Sequence, residues 1–385
     1  MKRVGVIGGG QLAWMMADAA QKLGVELVVQ TPSEDDPAVS IAKETVFAPV
    51  DDATATEILA QKCDVITFEN EFVNLDALSV LVQQGISFRP RLEALAPLLD
   101  KYHQRCYLRD LGLPVPQFLA LDKVENLKSQ IEYLGFPVVL KSRRHGYDGQ
   151  GTFIIQDFAT LEQKLSYETT TTLNQSLFLL EEFIPFEREL AIIAARSVEG
   201  EIVTYPVVET QQEQQVCRRV IAPAKITPNQ VAEIQAIAHT LLNSLEVVGI
   251  FGIELFLSTN GKILVNEIAP RTHNSGHFSI DACETSQFEQ HLRAVCGLPL
   301  GNPALQCAGA VMVNLLGYEN SHSDYQSQRQ QIAEIPQAHV HWYGKTESRP
   351  GRKLGHVTVL LDNQNREQAI ANDIAHSIES IWYPR

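Results

Sequence analysis

The chain has 385 residues, 46 acidic against 31 basic side chains and a formal charge of −15. Such a surface repels nucleic acid and acidic membranes, so neither is an expected partner, and an anionic small substrate needs cations clustered locally. Hydrophobic residues make up 45%, enough for ordinary cores, yet no apolar run reaches the roughly 18 residues that span a bilayer.

The N-terminal segment, Met1 to Gly8, runs straight into a strand and a glycine turn. It is too short and glycine-rich for a secretory signal. Six scattered cysteines with no Cys-x-x-Cys spacing argue against a zinc or disulfide framework and point to a reducing cytoplasm. Val4–Ile7 reads as a strand, Leu12–Leu23 as a helix, Glu26–Val29 as a strand and Cys63–Phe68 as a further apolar run. This alternation predicts a parallel sheet with helices on its faces. Gly8-Gly9-Gly10-Gln11-Leu12-Ala13 fits the dinucleotide fingerprint, but Val28-Val29 leads into Gln30-Thr31-Pro32 with no acid for a ribose. That counts against NAD(P). A glycine-lined helix start still suits a phosphate or carboxylate.

A helix with basic residues is expected from Lys101 to Arg109, ended by Leu111-Gly112-Leu113-Pro114. Strand-like Val138–Leu140 then enters a segment, 141–151, that holds Lys141 and three glycines. Glycines let backbone N–H groups approach phosphate oxygens, and lysine adds a point charge. The Gly-Lys-Ser/Thr of a P-loop is absent. Thr169–Thr172 reads as a surface loop. Leu177–Leu180, Leu190–Ala194 and Ile202–Pro206 read as strands. Val231–Leu245 reads as a helix with Val231, Ile234, Ile237, Ala238, Leu241, Leu242 and Leu245 on one face.

Asn260-Gly261 lies between two apolar runs, the signature of a two-residue hairpin turn. With that loop, Thr259 pairs with Lys262, Ser258 with Ile263, and Glu254 falls opposite Glu267. Facing carboxylates repel across a strand pair. A hard divalent cation between them, with water and phosphate completing its shell, removes the conflict. The alternative is that one Glu twists to solvent or pairs with Lys or Arg. Arg271, His273 and Asn274 follow the hairpin on a loop. After Leu298-Pro299-Leu300 a mixed, loop-rich tail carries Lys345, Arg349, Arg352 and Lys353, a phosphate clamp or a solvated basic turn.

Taken in order, Lys141 with its glycine loop, Glu181-Glu182-Phe183-Ile184, Glu254 and Asn266-Glu267 resemble the ATP-grasp superfamily. Gly-Gly-Gly-Gln-Leu at 8–12, Tyr-Asp-Gly at 147–149, Asn-Glu-Ile-Ala-Pro-Arg-Thr-His-Asn-Ser-Gly-His at 266–277 and Arg-Pro-Gly-Arg-Lys-Leu-Gly-His at 349–356 narrow this. They resemble the 5-(carboxyamino)imidazole ribonucleotide synthase family, over essentially the whole chain.

The resemblance implies an α/β ATP-grasp architecture. A Rossmann-like, parallel-sheet pre-ATP-grasp domain covers 1–100, a small lid 101–180 and the main grasp domain 181–300. A mixed α/β segment, 301–385, packs on the last. It implies an ATP-dependent ligase that carboxylates the 5-amino group of 5-aminoimidazole ribonucleotide, using bicarbonate by way of carboxyphosphate, in purine biosynthesis. The implied cofactors are ATP and Mg²⁺, or Mn²⁺ in its place. By resemblance Lys101 and Lys141 hold phosphates, and Gly146, Tyr147, Asp148, Gly149, Gln150, Gly151 and Thr152 cover them. Glu181, Glu182, Phe183 and Ile184 meet the adenine, Glu189 the ribose hydroxyls, with Gln212 nearby. Glu254 and Glu267 hold the metal, beside Asn266. An ideal hairpin turns Asn266 to the other face from Glu267, so a local irregularity or an indirect role is expected there.

Gln11, Leu12, Glu71, Tyr147, Asp148, Arg271, His273, Asn274, Lys345 and Arg352 are the implied ribonucleotide contacts. Lys141, Tyr147, Asp148, Arg271 and His273 form the implied catalytic set. A homodimer, and delivery of product to a mutase, are implied partners. The chain departs from the family pattern at Ala13-Trp14, His145 and Gln150. The last loses a cation, leaving Arg143 and Arg144 nearest to compensate. Other readings are a formate-using purine transformylase or another ATP-grasp ligase, a nucleotide-binding regulator and, last, a dehydrogenase.

Overall fold

The computed structural model describes residues 1–121, 127–144, 151–171, 178–363 and 368–383. Four parallel strands open the chain: β1 Lys2–Ile7, β2 Val25–Thr31, β3 Glu44–Phe47 and β4 Val65–Phe68, in the order β3-β2-β1-β4. Alternation along β1 and β2 serves both faces. Val4, Val6, Leu27 and Val29 pack on one side, Ile7 and Val28 on the other with Ile66 and Phe68 of β4. The expected helix over 12–23 is interrupted. It splits into Gln11–Trp14 and Ala17–Leu23, with Met15 and Met16 forming the break.

The second sheet is small and antiparallel, with β5 Phe118–Leu121, β6 Val138–Ser142, β7 Thr152–Ile155 and β8 Phe178–Glu182 in the order β5-β8-β6-β7. One helix on this sheet, Phe158–Thr171, runs through Thr169, Thr170 and Thr171, which the sequence reading put in a loop. Three consecutive β-branched residues are poor helix formers, but they extend a helix already nucleated by the preceding turns. Thr172 lies outside the described residues.

The third sheet has nine strands. β9 Phe186–Arg196, β10 Ile202–Thr204, β11 Val208–Glu213, β12 Val216–Ala222, β13 Gly249–Ser258 and β14 Ile263–Ala269 form its first part. The tail adds β15 Gly309–Leu316, β16 Ala338–Trp342 and β17 Lys353–Leu361. The tail is thus not chiefly loop. Its strands continue the same sheet through β12–β15 pairing, in the order β14-β13-β9-β11-β12-β15-β17-β16 with β10 on β9. The helix Pro228–Leu245 lies on it, started by a capping box between Thr227 and Gln230 and buried through Ile234, Ile237, Ala238, Leu241, Leu242 and Leu245. Leu108 and Leu113, just before the small sheet, join this core.

The helix Gln287–Cys296 ties the first sheet to the third. Phe288, Leu292 and Val295 project onto the first sheet beside Val4, Val6 and Val29. Full burial of each contributes about 1.5–3 kcal/mol. Lys22 pairs with Glu289 at 2.7 Å, and Arg89 donates to the carbonyl of Val295 at 2.6 Å. His291 bridges β4 and β13: the Ile250 N–H donates to Nδ1 at 3.3 Å, so Nε2 carries the proton and lies 2.8 Å from Thr67 Oγ1. This helix therefore sets the strand ends of the first sheet over the edge of the third.

Candidate active site

A cleft of about 1100 Å³ runs between the three sheets. At its floor lies the β13–β14 hairpin. Glu254 is paired with Glu267, as its sequence requires, but the route differs in two places. The loop is Thr259–Gly261, closed by Ser258 N–H to the Lys262 carbonyl at 2.9 Å. Only Gly261 takes a left-handed φ, +81°; Asn260 does not, so this is not the two-residue turn. Leu257, rather than Ser258, faces Ile263. A bulge between Glu254 and Leu255 then absorbs Asn266 and restores the carboxylate pair. The irregularity expected at Asn266 is this bulge. It lets Asn266 and Glu267, adjacent in sequence, both line the cleft.

The two carboxyls have opposed electrostatics. Burial and the negative charge of Glu267 push Glu254 up to about 7. Glu267 is held below the usual carboxylate range, against its burial, by the Lys101 ammonium at 2.7 Å. Asn266 Nδ2 donates to Glu254 Oε2 at 3.4 Å, and Lys141 Nζ donates to Asn266 Oδ1 at 3.1 Å. Two carboxylates of hard oxygen donors on a rigid hairpin, one driven towards its neutral form by the other, fit a divalent ion such as Mg²⁺.

Over the floor stands a buried charge group. Glu181, 2% exposed, receives Arg105 Nε at 2.5 Å and Lys141 Nζ at 2.8 Å. Burial opposes its charge, yet the two cations bring it down to about 2. Lys141 is lowered by burial, which Glu181 only partly counters. Lys141, Thr152, Glu182, Phe183, Ile184, Glu189 and Gln212 line the cleft along with Glu181. Burial pushes Glu189 up to about 7. Glu182 also serves the chain itself, accepting from the Gln117 N–H at 2.8 Å.

Lys101 does not line the cavity; it reaches it through Glu267. Arg143 is not available to replace a missing cation at 150. Its Nε donates to Asp100 at 2.9 and 3.0 Å, and its guanidinium lies on the Tyr102 ring. Arg144 leans the same way, 3.6 Å from Asp100. His145, Gly146, Tyr147, Asp148, Gly149 and Gln150 lie outside the described residues, and Gly151 follows them as the residue before β7.

At the far end, the strand ends of the first sheet meet the loop after β14. Arg271 makes a two-pronged contact with Glu71, Nε to Oε2 at 2.5 Å and Nη2 to Oε1 at 3.0 Å. Glu71 raises the guanidinium further above its usual range although burial works the other way. His273 Nε2 lies 3.4 Å from Glu254 Oε1, and its Nδ1 2.8 Å from Ser275 Oγ. Gly252 is required beneath it, because any Cβ there would strike the His273 ring. Gln287 clamps the His273 backbone with bonds of 2.9 and 2.7 Å. Lys345 Nζ donates to Gln11 Oε1 at 2.6 Å, and Arg352 Nη1 to the Glu347 carbonyl at 2.8 Å. Gln11, Leu12, Asn274, Lys345, Arg349, Arg352 and Lys353 share this wall.

The glycine turn at 8–10 is already covered by a side chain. The carboxyl of Glu69 lies against Gly8 and Gly10, and a Cβ on either would collide with its oxygens. A side chain of the chain itself occupies the place where a dinucleotide phosphate would sit. Arg105, Gln287 and Asn314 were not singled out from sequence. Arg105 carried a signal, lying one helical turn from Lys101; Gln287 and Asn314 carried none.

A small antiparallel lid, a large sheet with a carboxylate hairpin, and a lysine–glutamate pair over it define an ATP-grasp ligase. The ATP-grasp domain model matches residues 106–288, the ribonucleotide synthetase pre-ATP-grasp domain 1–97 and the phosphoribosylaminoimidazole carboxylase C-terminal domain 310–370. The chain is 56% identical to the N5-carboxyaminoimidazole ribonucleotide synthase of Synechococcus elongatus over 99% of this chain and 96% of that one. It superposes on an ADP complex of an N5-carboxyaminoimidazole ribonucleotide synthetase with a TM-score of 0.90 and 35% identity, covering 99% and 97% of the two chains. An Aspergillus clavatus N5-carboxyaminoimidazole synthase, solved with ADP and 5-aminoimidazole ribonucleotide, gives 0.88 and 30% over 98% of each. The chain belongs to the N5-carboxyaminoimidazole ribonucleotide synthase family.

Proposed function

We propose that the cleft joins bicarbonate to the 5-amino group of 5-aminoimidazole ribonucleotide, with ATP converted to ADP. The observation that carries this is one continuous cleft holding both the Glu254/Glu267 pair with Lys141 and, separately, Arg271, His273, Lys345 and Arg352. One cationic group suits the ATP phosphates and the other a monophosphate substrate. Neither a formate-using ligase nor a regulator is favoured by the relatives, and Glu69 against the glycine turn counts against the dehydrogenase.

Phosphoryl transfer to bicarbonate needs positioning and charge neutralisation more than covalent help. Lys141, fixed by Glu181, is placed for a phosphate, and Lys101 acts through Glu267. Glu254 and Glu267 would hold Mg²⁺, or Mn²⁺, which neutralises phosphate charge. Phe183 and Ile184 offer the apolar edge for adenine and Glu189 an acceptor for ribose hydroxyls, with Gln212 on the same side. Carboxyphosphate forms inside the cleft, which keeps it from water. His273, whose Nδ1 accepts from the Ser275 N–H and whose Nε2 faces Glu254, is assigned to the catalytic set by resemblance. Arg271 meets the ribonucleotide with its orientation locked by Glu71. Tyr147 and Asp148 complete the assignment by resemblance, as do Gly146, Gly149, Gln150, Gly151 and Thr152 over the phosphates.

We divide the labour along the chain: 1–100 for the ribonucleotide, 101–180 as lid, 181–300 for nucleotide and metal, and 301–385, whose strands continue the sheet of 181–300, supplying Lys345 and Arg352. Among the described residues no helix is long and apolar enough to cross a membrane. We place the protein in the cytoplasm, as a homodimer that passes its product to a mutase.

The test is ADP release. The ribonucleotide should stimulate it, with an acid-labile carboxylated product appearing only when bicarbonate is present. Stimulation by formate instead would sink the substrate assignment while leaving the ATP-grasp ligase intact. Lys345→Ala or Arg352→Ala should raise KM for the ribonucleotide about tenfold, since a charge-assisted bond contributes about 1.5–3 kcal/mol. KM for ATP should hardly move.

A further inference from the structure

We infer that Asn314 is a positioning residue that sets which hydrogen-bonding atom Asn274 shows to the ribonucleotide; this rests on the substrate reading above. Asn314 sits in β15, 1% exposed, opposite His356 of β17. Its Nδ2 donates to the main-chain carbonyl of Cys217 at 2.9 Å. A carbonyl can only accept, so the Asn314 amide has one allowed orientation. The same Nδ2 donates to Asn274 Oδ1 at 2.8 Å, and Asn274 Nδ2 donates back to Asn314 Oδ1 at 2.9 Å. The two carboxamides form a reciprocal pair, both buried, at the wall of the cleft.

The orientation passes from one amide to the next. Were Asn274 turned over, its NH₂ would face the NH₂ of Asn314, and oxygen would face oxygen. Two buried bonds would be replaced by two repulsions. Asn274 therefore keeps its oxygen on Asn314, which fixes where its remaining groups stand: the second hydrogen of Nδ2 at one edge and the second lone pair of Oδ1 at the other. At its Nδ2 edge Asn274 recognises an acceptor: the unprotonated ring nitrogen of the aminoimidazole, or a ribose or phosphate oxygen. The 5-amino group is a donor and is not matched at this place. Asn314 need not touch the ligand; held by the Cys217 carbonyl of β12, it acts through Asn274.

The experiment is steady-state kinetics on the full chain, with melting curves to show that each variant folds. Asn314→Ala should raise KM for the ribonucleotide about tenfold, the worth of one oriented hydrogen bond, and leave KM for ATP within about twofold. In an Asn274→Ala background the same change should add less than about twofold, because the group it orients is gone. A purely structural role would raise both KM values together, or act equally in both backgrounds, and either result overturns the inference. If Asn314→Ala does not fold, Asn274→Asp replaces the donor with an acceptor. It should raise the ribonucleotide KM at least about tenfold, and an unchanged value overturns the inference. A wild-type enzyme that uses the ribonucleotide while these variants match it defeats the inference alone. A wild-type enzyme that binds Mg-ATP but ignores the ribonucleotide defeats both readings.

Discussion

Glu181 illustrates how much one side chain can hold together. It is shared by Arg105 and Lys141, all three deeply buried. Removing one member of such a group leaves uncompensated charge and costs about 3–5 kcal/mol. Glu181→Gln should therefore lower stability by that order in urea unfolding, and weaken ATP as Lys141 loses its anchor. The folded carboxyl lies near 2 against an unfolded 4.5. Its contribution is thus fully present above 4.5 and is lost as pH falls towards 2. Glu267→Gln is a different kind of change. The side chain faces the open cleft and pairs with Lys101, so the fold should survive while turnover at saturating ATP drops sharply. Mg-nucleotide should also raise the melting temperature less in this variant than in wild type. Near-normal turnover at ordinary Mg²⁺ would remove Glu267 from the metal site.

Among the elements, the β13–β14 hairpin carries the carboxylate pair and the helix Gln287–Cys296 carries the domain joint. Leu292 is fully buried between two sheets on that helix. Leu292→Ala should destabilise by about 2–5 kcal/mol, the range for a large core truncation. Because the helix supports the first sheet, the loss should also raise KM for the ribonucleotide more than for ATP. Equal effects on both would show that the joint does not position the substrate wall. On the hairpin, Gly261→Ala forces a Cβ into φ +81° and should cost about 1–2 kcal/mol without touching the carboxylates.

For the molecule as a whole, the joint between first and third sheets should weaken in acid. Burial lowers His291 to about 4, from an unfolded value near 6.5. It is held neutral, donating to Thr67 and accepting from Ile250. The folded pKa is depressed, so the unfolded state binds the proton first. Stability is intact above 6.5 and falls as pH drops towards 4, by about 2.5 kcal/mol at pH 4.5. Urea unfolding at pH 7 and 4.5 should show this loss in wild type. It should be smaller by that amount in His291→Gln, whose amide does not titrate; parallel losses in the two proteins would refute the assignment.

Periodicity and local chemistry determined a good deal by themselves. The alternation over 1–68 required a parallel sheet, the face of the helix Pro228–Leu245 was readable as a 3.6-residue pattern, and the Glu254–Glu267 pairing followed from counting back along a hairpin. Counting worked there because two local errors cancel: a longer turn and a bulge at Asn266, neither of which is written in apolar and polar order. The helical Thr169–Thr171 went unread because propensity is weak beside a helix already formed. What only the tertiary structure decided were meetings between residues far apart in sequence. Glu69 fills the glycine turn, Arg105 and Lys141 share Glu181, Arg143 is committed to Asp100, and Asn314 orients Asn274 from 40 residues away. Such contacts depend on how sheets are set against one another. That setting comes from buried surface such as Phe288, Leu292 and Val295, whose partners no local pattern names.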